Sequence, residues 1–374
     1  MSLAELNVSG FRNLSISGFR PQQGFNVVLG DNGAGKSSLL EAIYVLGTGK
    51  SFRTHHPHSL MHMAGSSFQV FGVLSPSRLS LGIERQASGD QRILLQGERV
   101  QSASHLAAAF PVLAMTLNDD QLFEGSPKVR RQFLDWGVFH VEHDRSRLLF
   151  HHFQRAIKQR NSALKSVKLG RDELAVWTTE FIRAAERLDR VRESYFDQLV
   201  LAYEGICQSA EVFSFGQQLK LHYSRGWDKK MSLAEALARP STQLREQETG
   251  LTQVGPHRAD IRLMWQQMPA KEVLSRGQKK VLAYCLKLAQ LKCLLAQGAP
   301  KPVILVDDLS AELDQPHLLA LLRQLSEFDT QIFLTALDAR QFPDPELWVS
   351  PAHMNQFYLQ DGQISGQLEG DRDG

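Results

Sequence analysis

The spacing of apolar and polar residues changes along this chain, and the change separates regions of different structure. Up to about residue 126, short apolar runs and alternating segments between turn residues predict strands at 3–8, 25–29, 68–74, 79–84, 92–96 and 111–116. After that point, helical spacing of apolar residues predicts helices at 128–136, 143–166 and 173–208. Later segments predict strands at 219–223 and 261–265, a helix at 275–297, buried strands at 302–306 and 331–336, and short strands near Trp348 and Phe357.

The strand at 25–29 leads into the segment around which the chain is organised. It is followed by the pattern Gly30-x-x-x-x-Gly35-Lys36-Ser37 and then by a helical pattern. A strand, a glycine-rich turn and a helix in this order predict a phosphate-binding loop, because the turn presents backbone N–H groups and the helix adds its positive end. Lys36 is predicted to reach the β- and γ-phosphates, and the Ser37 hydroxyl to bind Mg2+. The predicted nucleotide contacts in the loop are Gly30, Asp31, Asn32, Gly33, Ala34, Gly35, Lys36, Ser37 and Ser38.

A second apolar run, residues 303–306, ends in Asp307 and Asp308. Beside a phosphate-binding loop, two acids at the end of a buried strand predict one carboxylate for the magnesium shell and one for water. Asp307 is predicted to act on Mg2+ through a water, because this ion keeps much of its hydration. Asp308 is predicted to orient or activate the attacking water. The alternative is a strand that ends in a solvated acidic turn.

Residues 274–278 (Leu-Ser-Arg-Gly-Gln) open the helix predicted at 275–297. Ser275 is suited to cap that helix, and Gly277 permits close approach of another backbone, so the helix start is suited to bind a phosphate. This segment precedes the acid-tipped strand, and in that order the two resemble the ABC-type ATPases. The resemblance implies that Ser275 meets the γ-phosphate held by a second subunit. It also implies that residues 310–314, with Asp314, lie across the same dimer interface.

A set of short segments narrows the resemblance to one family. These segments are residues 11–14, 40–44, 51–54, 126–136, 158–165, 255–260 and 274–278. In this order they resemble the bacterial RecF family of recombination and replication-repair ATPases, which are relatives of the SMC proteins. The resemblance implies an α/β fold, an ABC/SMC-type P-loop ATPase head with an inserted, mainly helical lobe that carries an arm. Its expected parts are 1–110 (lobe I with the P-loop), 111–297 (lobe II with the arm and the signature helix) and 298–374 (lobe I with the acids).

The same resemblance implies a function. ATP and Mg2+ are the expected cofactors, and ATP is expected to join two heads as a homodimer. Lys36, Asp307 and Asp308 of one subunit and Ser275 and Asp314 of its partner are the expected catalytic residues. The ATPase is expected to be weak and stimulated by DNA. The protein is expected in the cytoplasm with the nucleoid, clamped on duplex DNA near single-strand gaps, where it promotes recombinase loading with RecO and RecR.

Three positions depart from the ABC pattern. Asp308 stands where ABC-type proteins usually carry Glu, and its shorter side chain favours slow hydrolysis. Thr335 lies on the strand where most ABC transporters place a switch histidine. Residues 111–120 contain no glutamine, so Gln121 or Asn118 remains a candidate for the role of the family's glutamine-bearing loop.

Other polar residues keep two interpretations. Arg12 lies where SMC-type heads contact the nucleotide, and a solvated charge after a strand is the alternative. The histidines at 55, 56, 58 and 62 are interpreted as an exposed loop and not as a metal site, because neither cysteine nor helical ligand spacing accompanies them. His257 is either structural or close to the nucleotide.

Charge is distributed unevenly, although the net charge is only +2. Residues 126–171 hold eleven Lys and Arg against three Asp and Glu. A basic helical face of this kind can neutralise phosphates without reading bases, and an ordinary solvated helix is the alternative. The predicted DNA contacts are Lys128, Arg130, Arg131, Arg155, Lys158 and Arg160.

Composition argues against several other classes of protein. The three cysteines are scattered, which predicts a reduced, cytoplasmic protein without a disulfide framework or zinc site. No signal peptide or membrane span is expected from the sequence.

The main alternative function is an ABC-type ATPase subunit coupled to a membrane transporter, against which the arm and the basic bias argue. A nuclease of the overcoming-lysogenization-defect type would need more chain after Thr335, and intact Lys36, Ser37 and Asp307 disfavour a scaffold with a vestigial site.

Overall fold

The computed structural model describes residues 1–63, 65–141, 143–166, 171–350 and 353–368. The first part of the chain forms strands β1 (Ser2–Phe11), β2 (Leu14–Phe19), β3 (Phe25–Leu29), β4 (Ser67–Ser75), β5 (Ser80–Gln86), β6 (Gln91–Leu95), β7 (Glu98–Val100) and β8 (Val112–Met115), with helices α1 (Lys36–Thr48) and α2 (Ser104–Ala109). The middle forms helices α3 (Gln121–Glu124), α4 (Pro127–Val141), α5 (His143–Lys165), α6 (Arg171–Ser209), α7 (Leu233–Ala238), α8 (Pro240–Thr249), α9 (Ala270–Val273) and α10 (Arg276–Ala296), with strands β9 (Leu219–Ser224), β10 (Asp260–Trp265) and β11 (Met268–Pro269). The last part forms β12 (Val303–Val306), α11 (Gln315–Ser326), β13 (Ile332–Ala336), β14 (Met354–Gln360) and β15 (Gln363–Leu368).

Residue contacts divide the chain into two compact units. Unit 1 combines Met1–Asp119 with Gly298–Gly374, and unit 2 is Asp120–Gln297. The sequence places the first boundary earlier, between residues 110 and 111. Strand β8 accounts for the difference, because it pairs in parallel with β12 and therefore belongs to the same sheet as the acid-tipped strand.

Unit 1 contains two six-stranded sheets. One is an antiparallel sheet in the order β2-β1-β4-β5-β6-β7, and the other has the order β15-β14-β3-β13-β12-β8. In the second sheet all neighbours pair in parallel except β14 and β15. Its inner strands β3, β12 and β13 are buried at every position, which explains why their sequences are continuous apolar runs. Since β13 lies between β3 and β12, the carboxyl ends of these three strands meet at one edge of the sheet.

Helix α1 packs with strands of both sheets in one hydrophobic core. Its residues Leu39, Leu40, Ile43 and Leu46 are fully buried and belong to a cluster that includes strands of both sheets. The helix ends at Gly49, which has a left-handed φ of 69° and donates its N–H to Val45 O. Gly47 lies within the helix, and a Cβ there would lie 2.5 Å from a Val112 side-chain carbon.

Unit 2 is mainly helical and contains the three-stranded sheet β11-β10-β9. Helices α5, α6 and α7 share a buried cluster that includes Phe153, Phe181, Leu188 and Leu233. Phe153 and Phe181 of this arm thus pack in its interior. From the sequence we also expect residues 169–172 to join the two long helices, and this segment lies partly outside the described residues.

Two differences from the sequence prediction concern the end of the chain. Helix α11 was not predicted at all, although Asp314 caps it. The strand predicted near Trp348 is wrong, because this residue follows a short 3-10 turn and packs its ring edge-on against Phe25 at 5.0 Å between centroids. Among the described residues, no helix is long and apolar enough to cross a membrane.

Candidate functional site

The turn between β3 and α1 has the geometry of an anion-binding loop. Gly33 and Gly35 have left-handed φ values of 84° and 112°. The first hydrogen bond of the helix is donated by Leu39 N–H to Gly35 O at 2.8 Å, so the amides of residues 36–38 precede the helical ladder and remain for a ligand. A Cβ at Gly35 would approach a Leu14 side-chain carbon to 2.9 Å, so glycine is required here for space as well as for conformation.

Lys36 lies at the mouth of this loop. Its Nζ donates hydrogen bonds to Gly30 O at 2.6 Å and to Asp31 O at 3.0 Å. Partial burial lowers the pKa of the ammonium, while the charges of Asp308, Asp307 and Asp31 act in the opposite direction. The cation is therefore held between the loop carbonyls and the acidic edge of the sheet, where a phosphate would have to bind.

Asp307 follows β12 at the same edge and is buried. Its N–H donates to Met115 O at 2.9 Å, and its Oδ1 accepts a hydrogen bond from Thr335 Oγ1 at 3.0 Å. Burial raises the pKa of the carboxyl, and hydrogen bonds from Ser37 and Thr335 lower it. The structure therefore places the P-loop serine beside the predicted Mg2+ acid.

Asp308 follows in a left-handed conformation with φ 55°. Its N–H donates to Thr335 Oγ1 at 2.9 Å, so the one threonine hydroxyl links both acids. This conformation turns the half-buried side chain of Asp308 toward the cleft in front of the loop, whereas Asp307 stays inside. Thr335 lies on the strand where most ABC transporters place the switch histidine. It is 1% exposed, and its hydroxyl forms both of these hydrogen bonds.

These groups line a cleft of about 680 Å³. Its walls are the loop, the turn after β1, the segment before β4 and the edge of the parallel sheet. The lining residues are Arg12, Asn13, Asn32, Gly33, Gly35, Lys36, Ser37, Ser38, Arg53, Ser59, Met61, His62, Met63, Asp308 and Thr335. Predicted loop residues, Arg12 and Asp308 thus share one cavity within unit 1.

A buried carboxylate forms ion pairs with two arginines that line this cleft. Glu41 of α1 has 0% exposure and forms a two-pronged ion pair with Arg12, in which Arg12 Nη2 donates to Oε1 at 3.0 Å. The same carboxylate accepts a hydrogen bond from the Ser51 hydroxyl, and Arg53 Nη1 lies 3.9 Å from its Oε2. Arg12 has φ 49°, a conformation that this pairing supports. Glu41 therefore fixes two arginines that both face the cleft.

The donor set fits Mg2+ bound to a nucleotide. The Ser37 hydroxyl and the Asp307 carboxylate are the hard oxygen donors that this ion prefers, and they lie beside each other. In the described part of the chain, no three His, Cys, Asp or Glu side chains gather as a metal site. Phosphate oxygens and water would complete the shell of this ion, which keeps several of its waters. The histidines at 55, 56 and 58 are all exposed.

In unit 2, Ser275 caps α10 as predicted from its sequence. Its Oγ accepts from Gln278 N–H at 3.2 Å, and Gln278 Oε1 accepts from Ser275 N–H at 3.0 Å. Ser275 is exposed, and a Cβ built at Gly277 would meet nothing within 4 Å. The start of α10 is therefore open to solvent in one subunit.

Asp314 caps α11 in unit 1. Its Oδ1 accepts from His317 N–H at 3.0 Å and contacts His317 Nδ1 at 2.5 Å, and these hydrogen bonds lower the pKa of the carboxyl. The side chain is 63% exposed. Gln121 and Asn118, the candidates for the glutamine-bearing loop, are both exposed.

The six predicted DNA contacts fall into two groups. Arg130 is paired with Asp260, to which Nε donates at 2.7 Å and Nη2 at 3.1 Å, and Arg131 donates to Ala259 O at 2.7 Å. Burial lowers the pKa of Arg131. Lys128, by contrast, is exposed near the start of α4.

Arg160 is the clearest departure from the predicted DNA surface. It is 3% exposed, and its Nη1 and Nη2 donate to Glu246 at 3.0 and 2.7 Å. It also donates to Thr252 Oγ1 at 2.8 Å and lies over the Phe181 ring. This arginine is an interior group of unit 2 and cannot touch DNA without unfolding its surroundings.

Arg155 and Lys158 lie on the other side of the same helix. Both are exposed and line a groove of about 910 Å³ beside α5, together with Lys165. Of the other bases counted in this region, Lys168 is outside the described residues, as are the side chains of Arg145 and Arg171. The outer side of α5 therefore keeps part of the predicted basic surface.

Known proteins resemble this chain along nearly its whole length. A family model described as the RecF/RecN/SMC N terminal domain matches residues 2–356. The protein called "DNA replication and repair protein RecF" from Pseudomonas aeruginosa (strain LESB58) is 38% identical over 368 residues, or 98% of each chain. The protein of the same name from Stutzerimonas stutzeri (strain A1501) is 39% identical over 373 residues, which covers 99% of this chain and 98% of the relative. The chain belongs to the RecF family.

Solved structures have a similar fold. A structure described as the recombination mediator protein RecF-ATPrS in the RecFOR pathway has a TM-score of 0.79 at 25% identity and covers 98% of both chains. An Smc head domain from Pyrococcus furiosus, solved with an extended coiled coil and the C-terminal domain of ScpA, has a TM-score of 0.55 at 16% identity, covering 98% of this chain and 96% of that one. The predicted family and the predicted α/β ATPase-head fold are confirmed.

For this RecF-family chain, sequence reasoning missed the roles of Glu41 and Asn13. Asn13 Nδ2 donates to Gly33 O at 3.0 Å and so supports the P-loop from the turn after β1. Glu41 had one available signal, since it is the sole charged residue within the otherwise apolar stretch 39–43 of a helix. Its partners, however, come from distant turns that no spacing rule connects to it.

Proposed function

We propose that this chain is an ATP-dependent DNA-binding protein of recombinational repair and replication restart. The carrying observation is the arrangement at one sheet edge, in which the Thr335 hydroxyl hydrogen-bonds to both acids and Ser37 lies beside Asp307, directly behind the Lys36 loop. Family membership supports the repair role, and the similar structure described with ATPrS supports ATP as the nucleotide.

In this proposal each group of residues in the cleft has its own role in ATP hydrolysis. The amides at the start of α1 and Lys36 would hold the phosphates, and Arg12 and Arg53, fixed by Glu41, would neutralise further charge. Ser37 and Asp307 would hold Mg2+, which supplies charge neutralisation of the phosphates when bound. Asp308 would orient the attacking water. Its short side chain and the Thr335 linkage are consistent with slow turnover, as suits a switch.

The proposal includes an ATP-dependent homodimer. Ser275 and Gly277 form an exposed helix start that can accept a phosphate, and Asp314 is an exposed cap on unit 1. In the dimer, Ser275 and Asp314 of one subunit would complete the site of the other. Hydrolysis would then release the pair of heads.

The DNA contact in this proposal is made to phosphates. It retains Lys128, Arg155 and Lys158 and omits Arg130, Arg131 and Arg160, whose guanidinium groups have protein partners. The proposed substrate is duplex DNA next to single-strand gaps, and the proposed partners are RecO and RecR. The proposed outcome is recombinase loading. The proposed location is the cytoplasm, with the nucleoid.

ATP hydrolysis at low salt, with and without duplex DNA, tests the proposal. Slow turnover that DNA increases, and that is abolished in Lys36→Met, is expected. Lys50→Met is the matched control, because Lys50 is an exposed lysine just beyond α1. Turnover that ignores DNA would contradict the proposal and favour the transporter-type alternative.

Sedimentation with and without ATP tests the dimer separately. Ser275→Arg is expected to abolish ATP-dependent dimerisation while it leaves ATP binding to the monomer intact. If the variant dimerises like the parent, the trans role of Ser275 is wrong.

A further inference from the structure

The three-stranded sheet of unit 2 has two chemically different faces. Leu221 of β9 and Ile261 and Leu263 of β10 line a small apolar contact with residues of α4, α6 and α10. That face therefore belongs to the interior of the unit. Because side chains alternate along a strand, the residues between them point the other way.

The outward face is basic. Strand register places His222 opposite Arg262 and Lys220 opposite Met264, and Lys220, His222 and Arg262 are all exposed. These side chains border a concavity of about 610 Å³. Its lining residues are Lys220, His222, Tyr223, Ser224, Lys229, Arg262, Met264 and Gln267, none of which is acidic.

We infer that this outward face, here called the sheet patch, is a second binding surface for the DNA phosphate backbone, separate from the basic side of α5. The inference rests on the proposed DNA-binding function. Lys, Arg, Ser and Gln are side-chain types that contact phosphates without reading sequence. Lys220 and Arg262 are diagonal neighbours on adjacent strands, about 7–8 Å apart, so they present two separate charges and not a single anion pocket.

The lining also argues against an acidic protein segment as the main occupant. A stable protein interface usually depends on an apolar or aromatic anchor that enters a desolvated pocket. Here Tyr223 is buried and hydrogen-bonded to Asp189 at 2.9 Å, which leaves Met264 as the main apolar group on the patch. Phosphate contacts need no such anchor, because counterion release supplies the driving force.

The test is the salt dependence of duplex DNA binding by the full chain, measured by fluorescence anisotropy. The variants are Lys220→Glu with Arg262→Glu and, to limit any effect on folding, Lys220→Gln with Arg262→Gln. The control is Arg78→Glu with Arg99→Glu, two exposed arginines of unit 1 with the same change in net charge. Thermal unfolding of all proteins is compared first.

The patch variants should make the negative slope of log affinity against log salt less steep by roughly 2, because each DNA phosphate that the protein no longer neutralises reduces its steepness by about 0.9. The control should keep the parental slope within about 0.5. If patch and control variants behave alike while the parent binds DNA, the sheet patch is refuted and the DNA-binding function stands. If the parent does not bind DNA at any salt, the proposed function fails as well. If the patch variants no longer bind a poly-glutamate peptide but still bind DNA like the parent, an acidic protein partner replaces the inference.

Discussion

The nucleotide cleft of unit 1 was predicted from motifs at the ends of buried strands, whereas the DNA surface of unit 2 was predicted from a count of charges. In the cleft, Lys36, Ser37, Asp307 and Asp308 meet at one sheet edge because each directly follows a buried parallel strand or opens the helix after one. On α5, Arg155 is exposed and Arg160 is buried against Glu246, although both belong to the same basic run. A motif fixes position through backbone topology, whereas a count of charges does not say which way each side chain points.

The largest expected effect concerns the interior of unit 2. Arg160→Ala leaves the buried Glu246 carboxylate without its partner, so unfolding should become easier by about 3–5 kcal/mol. Arg155→Ala, on the exposed side, should change stability by less than about 0.5 kcal/mol. Denaturant titration measures both. Arg160→Met with Glu246→Leu is the control, since removal of both charges should restore most of the stability. Equal destabilisation by Arg155→Ala and Arg160→Ala would break the comparison.

The next effect concerns the cleft. Asp307→Asn keeps the size of the side chain and an oxygen acceptor for Thr335 Oγ1 but removes the charge beside Ser37. ATP turnover should fall by roughly 10²–10³, the decrease typical when one charge-stabilising group is removed from a preorganised site. Steady-state hydrolysis measures it, and unchanged thermal unfolding would show that the fold is kept. Near-parental turnover would refute the assigned role of Asp307.

The third expected effect is a dependence of the stability on pH, caused by a buried histidine of unit 2. Burial lowers the pKa of His257 to about 4, and its Nε2 lies 2.8 Å from Thr252 O. The unfolded chain, with an ordinary pKa of about 6.5, binds more protons between these values, so stability should fall by up to about 3 kcal/mol as pH drops from about 6.5 to 4. Denaturant unfolding across this range tests it. His257→Gln should flatten this part of the profile, and an unaltered slope in the variant would exclude His257 as the cause.

The smallest expected effect is on ATP affinity and tests the role of Glu41. Glu41→Gln weakens its hold on Arg12 and Arg53, so the Kd for ATP should rise about tenfold, equivalent to about 1.4 kcal/mol. Equilibrium binding of a fluorescent ATP analogue measures this. Arg92→Gln is the control, because Arg92 is an exposed arginine of unit 1 in a long 3.9 Å pair with Glu84. If both variants bind ATP like the parent, Glu41 has no positioning role.

By itself, the sequence determined the family, the α/β class, the P-loop, the acid-tipped strand and most long elements. These features are local, since strands, turns and helix caps depend on residues close together in the chain. Tertiary structure alone decided that Thr335 links both acids and that Glu41 holds Arg12. It also assigned β8 to unit 1, buried Arg160 and placed His257 beside the Phe153 and Phe181 rings in the arm. Each of these depends on partners far apart in sequence, brought together by sheet order and helix packing that no short pattern encodes.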